Sequence, residues 1–302
     1  MNKRSHIIML FLATIFWGTT FVAQRIGADL VGAYTYLAGR SWIAVVFLTP
    51  VVHAFDRFHD RRGTSNRRPR SAEDRKKLIV AGVLAGTVLC AASAAQQIGV
   101  AYTTASKAGF ITALYVVMVP VLSIALGKRP GLRIWGCVVI ALAGMYLLCI
   151  TGGDLRLQLG DAYELLCAAL FAVQILLVAH YSPLVDGVRL SRMMFLVVAV
   201  LSTALMFVLE TPTRESVRAA LPAIAYAGII SSGFGYTLQI LGQEGVNPSV
   251  ASLVMSLESV FSALSGWIFL GERLSPRELL GCALMFAAIV LAQVEIKPRK
   301  QA

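Results

Sequence analysis

Long apolar runs separated by short polar links dominate the sequence. Ten such runs lie at 7–24, 34–55, 78–98, 107–126, 133–150, 161–180, 190–209, 221–241, 249–270 and 278–295. Each is close to the roughly 20 residues that a helix needs to cross the bilayer hydrocarbon. The runs do not alternate apolar and polar residues at every second position, as the strands of a membrane barrel do. The pattern therefore predicts an all-α polytopic membrane protein with ten transmembrane helices.

Composition supports this fold class. Charged residues make up 14% of the 302 positions, whereas about 25% is typical of soluble domains. The first run follows a basic start, as a signal peptide does, but it is long for a signal peptide and contains a Trp-Gly-Thr-Thr sequence at 17–20. We therefore expect it to be an uncleaved first spanning helix.

The net charge of +11 is explained by topology, and no nucleic-acid partner is expected. Basic residues gather in cytoplasmic loops of membrane proteins. With the N-terminus inside, 19 Lys and Arg residues fall on the cytoplasmic side and 8 on the other side, with Arg25 and Arg40 among the latter. Both termini are thus predicted to be cytoplasmic, as is a mobile basic loop at 56–77 that is free to contact membrane lipids.

Cysteine and histidine positions indicate no cofactor. The five cysteines lie within apolar runs without a CxxC pair, and the four histidines lie near run ends without ligand spacing. Neither a disulfide framework nor a metal site is predicted from this arrangement.

The chain repeats itself with a change of direction. LATIFWGTTFVA at 12–23 matches LCAALFAVQILL at 166–177, with an offset of 154, and Gly-Lys-Arg at 127–129 matches Gly-Glu-Arg at 271–273. Two halves, 1–152 and 153–302, would each contain five helices. Because five is odd, the second half would cross the membrane in the opposite sense. Inverted repeats are typical of secondary transporters, whose substrate site lies between the halves near the midplane.

One acidic residue falls deep in a spanning segment. Glu258 is the tenth residue of the run that starts at Ser249, and Ser262 and Ser265 share its helical face. An ionisable group at that depth indicates a functional site. It would bind a proton or a cationic part of the substrate; the alternative is a structural carboxyl bonded to a neighbouring helix.

Other polar residues in apolar runs are candidates for substrate binding. Trp17 would stack on a planar or apolar group, or pack beside Gly18, and Thr20 would offer a hydroxyl. Gln97 ends the third run beside Gln96, where the two amides would form an outer gate or interfacial caps. The full set of predicted substrate-binding residues is Trp17, Thr20, Gln97, Tyr115, Gln174, Tyr236, Glu258 and Ser262.

Two features of this set depend on the repeat. Gln174 falls near Thr20 in the repeat alignment, and the offset of 144 pairs Leu114 and Tyr115 with Glu258 and Ser259. Tyr115 needs a partner for its hydroxyl, which Glu258 or a substrate would supply. Near Tyr236, small and polar residues at 231–235 indicate close packing or a local break in the eighth helix.

Three stretches together resemble the EamA family of the drug/metabolite transporter superfamily. They are FWGTTFVAQ at 16–24, QQIGVAYTTASKAGFITALYVVMVP at 96–120 and the segment at 256–292 that begins SLESVFSALSGW. The resemblance implies a ten-helix bacterial inner-membrane carrier, with a central cavity lined by helices 1, 3, 4, 6, 8 and 9. Two departures stand out: Ser259 replaces a proline found in many members, and the first half lacks the glutamate.

The leading hypothesis is a secondary transporter that moves a small metabolite or drug-like molecule by alternating access. Export and proton coupling through Glu258 are its expected details, with downhill flux as the alternative to coupling. No GxxxxGK[ST] motif is present to bind ATP. An intramembrane enzyme is the alternative function, and a membrane scaffold ranks below it. Glycine stripes on helices 5 and 10 indicate packing within a monomer, or a weak homodimer.

Overall fold

The computed structural model describes residues 3–62, 67–102, 105–127, 130–149, 159–270 and 275–293, and these residues form helices without any strand. The helices are α1 (Lys3–Leu30), α2 (Ala33–Arg62), α3 (Ala72–Tyr102), α4 (Ala105–Thr112), α5 (Tyr115–Ala125), α6 (Leu132–Cys149), α7 (Leu159–Tyr181), α8 (Gly187–Leu209), α9 (Arg214–Tyr226), α10 (Tyr236–Gln243), α11 (Pro248–Met255), α12 (Glu258–Leu270) and α13 (Pro276–Gln293). A π-helical segment, Ala227–Gly235, joins α9 to α10.

Most of these helices are suited to lipid. Within the described part of the chain, eight stretches are long and apolar enough to cross a membrane, and two shorter apolar helices lie at Leu132–Leu147 and Leu279–Ala292. Large apolar side chains cover the outer surface, with Val46 70%, Phe207 76% and Val208 78% exposed. Such a surface would be an aggregation hazard in water. The protein is therefore a polytopic helical membrane protein with eight to ten spanning helices.

Side-chain contacts define one end of the bundle, here named the basic end. His6 Nδ1 lies 2.9 Å from the carbonyl oxygen of Leu241. Arg67 donates to the carbonyl of Ser182 at 3.1 Å and pairs with Glu244 at 2.6 Å. The start of α1 and the ends of α7 and α10 thus lie together, so α1 runs antiparallel to α7, its counterpart in the repeat.

The opposite end, here named the far end, is held by fewer charges. Arg25, near the end of α1, donates to the carbonyl of Val100, near the end of α3, at 2.9 Å. Glu210, which follows α8, accepts from the backbone N–H groups of Tyr34 and Thr35 at 2.8 Å each. This carboxylate satisfies donors at the start of α2 that have no partner within the helix.

Two predicted helices are broken at mid-length, which corrects the expectation of continuous spans. The fourth is divided into α4 and α5, where Leu114 N–H bonds the carbonyl of Ile111 at 3.1 Å. The ninth is divided into α11 and α12, where Leu257 N–H bonds the carbonyl of Val254 at 3.2 Å. Bonds that reach back three residues tighten the turn and interrupt the α-helical ladder.

The breaks also change the match between the two halves. Tyr115 opens α5 and Glu258 opens α12, so the break positions pair these two residues directly. The sequence offset of 144 had paired Glu258 with Leu114. The structural match is therefore one residue away from the sequence match in this part of the fold.

Between α9 and α10 the eighth predicted helix becomes π-helical, at the point where small and polar residues indicated packing or a break. Gly235 shows why a small residue is needed: a Cβ there would lie 2.7 Å from Trp17 Nε1. Gly233 likewise leaves room for the ring of Phe47, because a Cβ on Gly233 would lie 2.6 Å from that side chain. The π-helical segment thus packs closely against α1 and α2.

One glycine of the predicted stripe on the fifth helix, Gly144, packs within the chain, whereas a Cβ on Gly136 would meet nothing within 4 Å. Helices α6 and α13 pack against each other, and a Cβ on Gly144 would lie 2.7 Å from the carbonyl oxygen of Gly281. Close backbone approach through small residues is a common way for membrane helices to associate.

Candidate functional site

A narrow cavity lies between the two halves of the bundle. Its volume is about 30 Å³, which is room for about two water molecules. The lining residues are Trp17, Thr20, Phe21, Gln24, Arg40, Gln96, Tyr115, Phe171, Gln174, Ile175, Ser231, Tyr236, Gln239, Met255 and Glu258. In this conformation the cavity must widen before it admits a metabolite.

Six of the eight predicted binding residues line this cavity. They are Trp17, Thr20, Tyr115, Gln174, Tyr236 and Glu258. Lining residues come from α1, α3, α5, α7, α10, α11 and α12. These belong to predicted helices 1, 3, 4, 6, 8 and 9, which the family resemblance implied as the cavity lining. Arg40 adds α2 to this set.

The other two predicted residues lie outside the lining. Gln97 is buried and donates to the carbonyl of Gln24 at 3.1 Å. Ser262 lies at the contact of α12 with α1, where a Cβ on Gly18 would come within 2.8 Å of its backbone nitrogen. The structure thus places Gln97 in a hydrogen bond between α1 and α3 and Ser262 in a helix interface.

Unpartnered polar atoms converge on the cavity. Buried side-chain atoms without a hydrogen-bond partner among the described residues include Trp17 Nε1, Tyr115 Oη, Gln174 Nε2, Gln239 Oε1 and Glu258 Oε1, and all five residues line the cavity. Buried polar groups are normally paired. A concentration of donors and acceptors in one cavity is what a polar ligand requires.

Aromatic rings form one wall of the cavity. The rings of Trp17 and Tyr236 lie 5.0 Å apart between centroids, and Tyr236 also packs edge-on against Phe195 at 5.3 Å. Tilted and edge-on arrangements of this kind are favourable for aromatic pairs. The wall offers an apolar surface beside the polar groups.

Glu258 faces Tyr115 across the cavity. The carboxyl is 6% exposed and the tyrosine 3% exposed, and the two groups are close enough to interact electrostatically. Tyr115 Oη and Glu258 Oε1 form no well-aligned hydrogen bond with the described residues, but the hydroxyl is placed to donate to the carboxyl. The two broken helices thus bring their opening residues together.

Arg40 is a cavity residue that the sequence analysis assigned to an outer loop. It is 4% exposed, and its guanidinium donates to the hydroxyls of Ser231 at 2.9 Å and Ser232 at 3.0 Å. A signal was available, because Arg40 lies seven residues into the apolar run 34–55. A buried cation within such a run indicates a functional site.

Glu164 corrects the expectation of a single deep acid. Its side chain is fully buried and accepts from the hydroxyl of Thr112 at 2.6 Å. Glu164 lies in the second turn of α7. It is only the fourth residue of the predicted run 161–180, so it was expected to lie near the membrane interface. Contacts with α3 and α4 bury it.

Two glutamine pairs border the cavity in matching ways. Gln24 on α1 donates to Gln96 on α3 at 3.1 Å, and Gln239 on α10 donates to Gln174 on α7 at 3.1 Å. Because α1 and α7 run antiparallel, the first pair lies toward the far end and the second toward the basic end. Each pair joins one cavity wall to another.

A second amide strengthens each pair. As Gln97 donates to the carbonyl of Gln24, Gln243 donates to the carbonyl of Ile175 at 3.1 Å. The repeated arrangement explains why Gln97 lies outside the cavity lining: its side chain is used in the contact between α1 and α3.

Broken helices, an inverted pair of half-bundles and a polar cavity between them define a membrane transporter fold. The EamA-like transporter family matches the chain twice, at residues 4–150 and 158–293. The chain belongs to this family, and with it to the drug/metabolite transporter superfamily; it is a multi-pass membrane transporter.

Relatives named as transporters agree with this assignment. A transporter of Archaeoglobus fulgidus described as uncharacterized is 27% identical over 289 residues, which cover 95% of this chain and 85% of the relative. The transporter YwfM of Bacillus subtilis is 32% identical over 177 residues, 58% of this chain and 59% of that protein. The threonine/homoserine exporter RhtA of Escherichia coli K12 is 29% identical over 169 residues, 53% of this chain and 54% of RhtA.

A solved crystal structure shows the same fold. It superposes with a TM-score of 0.77 at 17% identity and covers 97% of each chain. At that identity the likeness concerns the fold alone.

Proposed function

We propose that the protein is a secondary transporter that exports a small zwitterionic metabolite, an amino acid in the first instance, across the inner membrane of a bacterium. Export proceeds by alternating access, with both termini cytoplasmic and with the repeats 1–152 and 153–302 moving around the cavity. The transporter works as a monomer or weak homodimer in contact with membrane lipids.

The unpartnered polar atoms around the cavity carry the proposal of substrate binding. Five buried donors and acceptors that face one cavity are left for a ligand to satisfy. A substrate that pairs with them would be discriminated from apolar analogues, because those analogues leave the same atoms buried without partners.

The charges in the lining support a zwitterion. Arg40 and Glu258 both line the cavity, and both act electrostatically on the hydroxyl of Tyr236, which lies near each of them. Arginine suits a carboxylate through its planar set of donors, and a glutamate suits an ammonium group. RhtA, named for threonine and homoserine, is consistent with a substrate of this class.

Alternating access is supported by the glutamine pairs. Gln24–Gln96 and Gln174–Gln239 lie toward opposite ends of the same cavity. Opening one pair while the other stays closed would expose the cavity to one side of the membrane at a time. The breaks in the fourth and ninth helices supply matching points at which the walls can bend.

Proton coupling is assigned to Glu258. Low dielectric surroundings favour the neutral form of a carboxyl, and a nearby cation favours the charged form. A substrate ammonium group beside Glu258 would therefore cause the carboxyl to release its proton. Substrate and proton would then compete for the same carboxylate.

The enzyme alternative has less support. Nucleophilic catalysis needs a nucleophile with an adjacent base, whereas Glu258 is the one carboxyl among the described lining residues, and none of them is a histidine or cysteine. The relatives are also named as transporters.

Counterflow in proteoliposomes tests the proposal. Purified protein is reconstituted with unlabelled amino acid inside, and entry of radiolabelled threonine, homoserine and other amino acids is followed. We expect counterflow for at least one zwitterion, with a loss of about tenfold or more in the Arg40→Met variant. Counterflow of a cationic drug, with none for any amino acid, would reject a zwitterionic substrate. Conversion of a candidate substrate into hydrolysis products would instead support the enzyme alternative.

A further inference from the structure

We propose that Glu164, held by Thr112 and Gly99, is a second proton-binding site, separate from Glu258. The inference deepens the proton coupling proposed above, but it is measured without any transported substrate. Its failure would therefore leave the proposed function standing.

The carboxyl of Glu164 occupies a fitted position. The side chain is fully buried, and a Cβ on Gly99 would lie 2.6 Å from its Oε1. Only a glycine at that point of α3 leaves space for the carboxyl. Oε2 accepts from Thr112 at 2.6 Å, while Oε1 has no hydrogen-bond partner among the described residues.

The charged surroundings favour a proton as the ligand. The titratable groups that act on Glu164 are Glu258 on α12 and Asp161 on its own helix, and the thiol of Cys167 lies close by. In the described part of the chain, Glu164 forms no ion pair with a lysine or arginine. An ionised carboxylate buried without a cation is very costly, and such a group neutralises instead.

The neighbouring helices place no basic side chain among the described contacts of Glu164. The α3 surface contributes Gly99 and the α4 end contributes Thr112, neither of which titrates. Helix α5 contributes Tyr115, which interacts with Glu258 and with Cys167, the thiol close to Glu164. Thus the acidic neighbour from outside α7 is Glu258 itself.

The site is placed where it can act on the hinge. Thr112 is the last residue of α4, directly before the break, and Tyr115, directly after it, faces Glu258. Two buried carboxyls therefore contact the two sides of one break. Like charges so placed disfavour joint ionisation, so the protons of the pair are lost in two coupled steps.

Infrared difference spectroscopy tests the site directly. Purified protein in lipid is taken from acidic to alkaline pH, and the carbonyl stretch of protonated carboxylic acids is recorded. We expect Glu164→Gln to remove one buried component and Glu258→Gln to remove another. Asp161 is buried as well, and a component that it contributes should be unchanged in both variants. The matched control is Glu215→Gln, an exposed acid in the first turn of α9, which should leave both buried components in place.

A second variant keeps the test decisive if Glu164→Gln does not fold. Thr112→Val retains the acid but removes its hydrogen bond, and should shift the Glu164 component to higher frequency. Buried bands that are all unchanged in both variants would overturn the proposal. So would stabilisation by sodium chloride over choline chloride that is lost in Glu164→Gln, since it would make Glu164 an ionised ligand of sodium.

Discussion

The two broken helices share a backbone and differ in chemistry. In both repeats the break falls after an eight-residue half-helix, α4 or α11, and is closed by a bond that reaches back three residues. The second half then opens with Tyr115 in one repeat and with Glu258 in the other. Two equivalent hinges thus differ in that only one opens with an acid.

The glutamine pairs show the opposite behaviour. Gln24–Gln96 and Gln174–Gln239 repeat the same residue type, with the same 3.1 Å separation, in both halves. The comparison indicates that contacts which close the cavity must be equal on the two sides, whereas an acid at the helix break is needed on one side only. Four predictions test this division.

The largest effect is expected at Glu258. Glu258→Gln removes the proton but keeps the shape, so proton-driven accumulation of the amino acid should fall about tenfold or more. Counterflow needs no net proton movement, so at saturating substrate it should stay within about twofold of the unaltered protein, although more substrate is needed because the ammonium group loses its charged partner. Both are measured in the same proteoliposomes, and retained pH-dependent accumulation in the variant would refute coupling through Glu258.

Loss of either glutamine pair should open the cavity to a similar extent, but from opposite ends of the bundle. In a cysteine-free background with Thr20→Cys in the cavity, Gln24→Ala should raise labelling by a membrane-impermeant thiol reagent from the far end severalfold. Gln239→Ala should do so from the basic end. Labelling that rises from the same side in both variants would contradict paired gates.

Removal of the Tyr115 hydroxyl tests whether the break between α4 and α5 acts on Glu258. Tyr115→Phe takes away the group that faces Glu258, and the midpoint of the pH profile of transport should move while the maximal rate falls only about twofold. Tyr36→Phe is the matched control, a buried tyrosine whose hydroxyl lies 3.4 Å from the carbonyl of Ala223 and which does not line the cavity. An equal shift of the pH midpoint in both variants would mean that loss of any buried tyrosine hydroxyl has this effect, and would contradict a specific role for Tyr115.

The smallest effect is expected on stability. A Cβ on Gly18 would lie 2.3 Å from the Cβ of Phe261 in α12, so Gly18→Ala should destabilise the protein by about 1–3 kcal/mol through overpacking. At the matching position of the repeat, Ala172 already carries a Cβ and is buried. Gly109→Ala is the control, since its Cβ would meet nothing within 4 Å, and thermal unfolding in detergent compares the two.

Sequence patterns predicted the helical class and most of the cavity. Trp17, Gln174 and Glu258 were identifiable because each is an unusual residue inside a hydrophobic run. The helix breaks were not, because neither a glycine nor a proline lies at Ala113–Leu114 or at Ser256–Leu257. Tertiary contacts determine the breaks, and local propensity is uninformative there.

The missed charges have two separate causes. Arg40 was assigned to an outer loop by a count of basic residues per side, which does not distinguish an arginine inside a run from one outside it. Glu164 lies close to the start of its run, where depth in the membrane depends on the packing of neighbouring helices. Contacts with Gly99 on α3 and Thr112 on α4, both distant in sequence, bury its carboxyl.

Arg40 has a consequence for the biogenesis of the protein. An arginine costs at most about 2.5–3.5 kcal/mol on insertion scales, the value for the helix centre. Arg40 lies seven residues into its apolar run, so it weakens the insertion of α2 on its own. The hydroxyls that accept its hydrogen bonds, on Ser231 and Ser232, are translated after seven further helices, α3 to α9. Until they arrive, α2 must be retained by the nascent first half or by the insertion machinery, and a chain that stops after the first repeat would leave Arg40 without those partners.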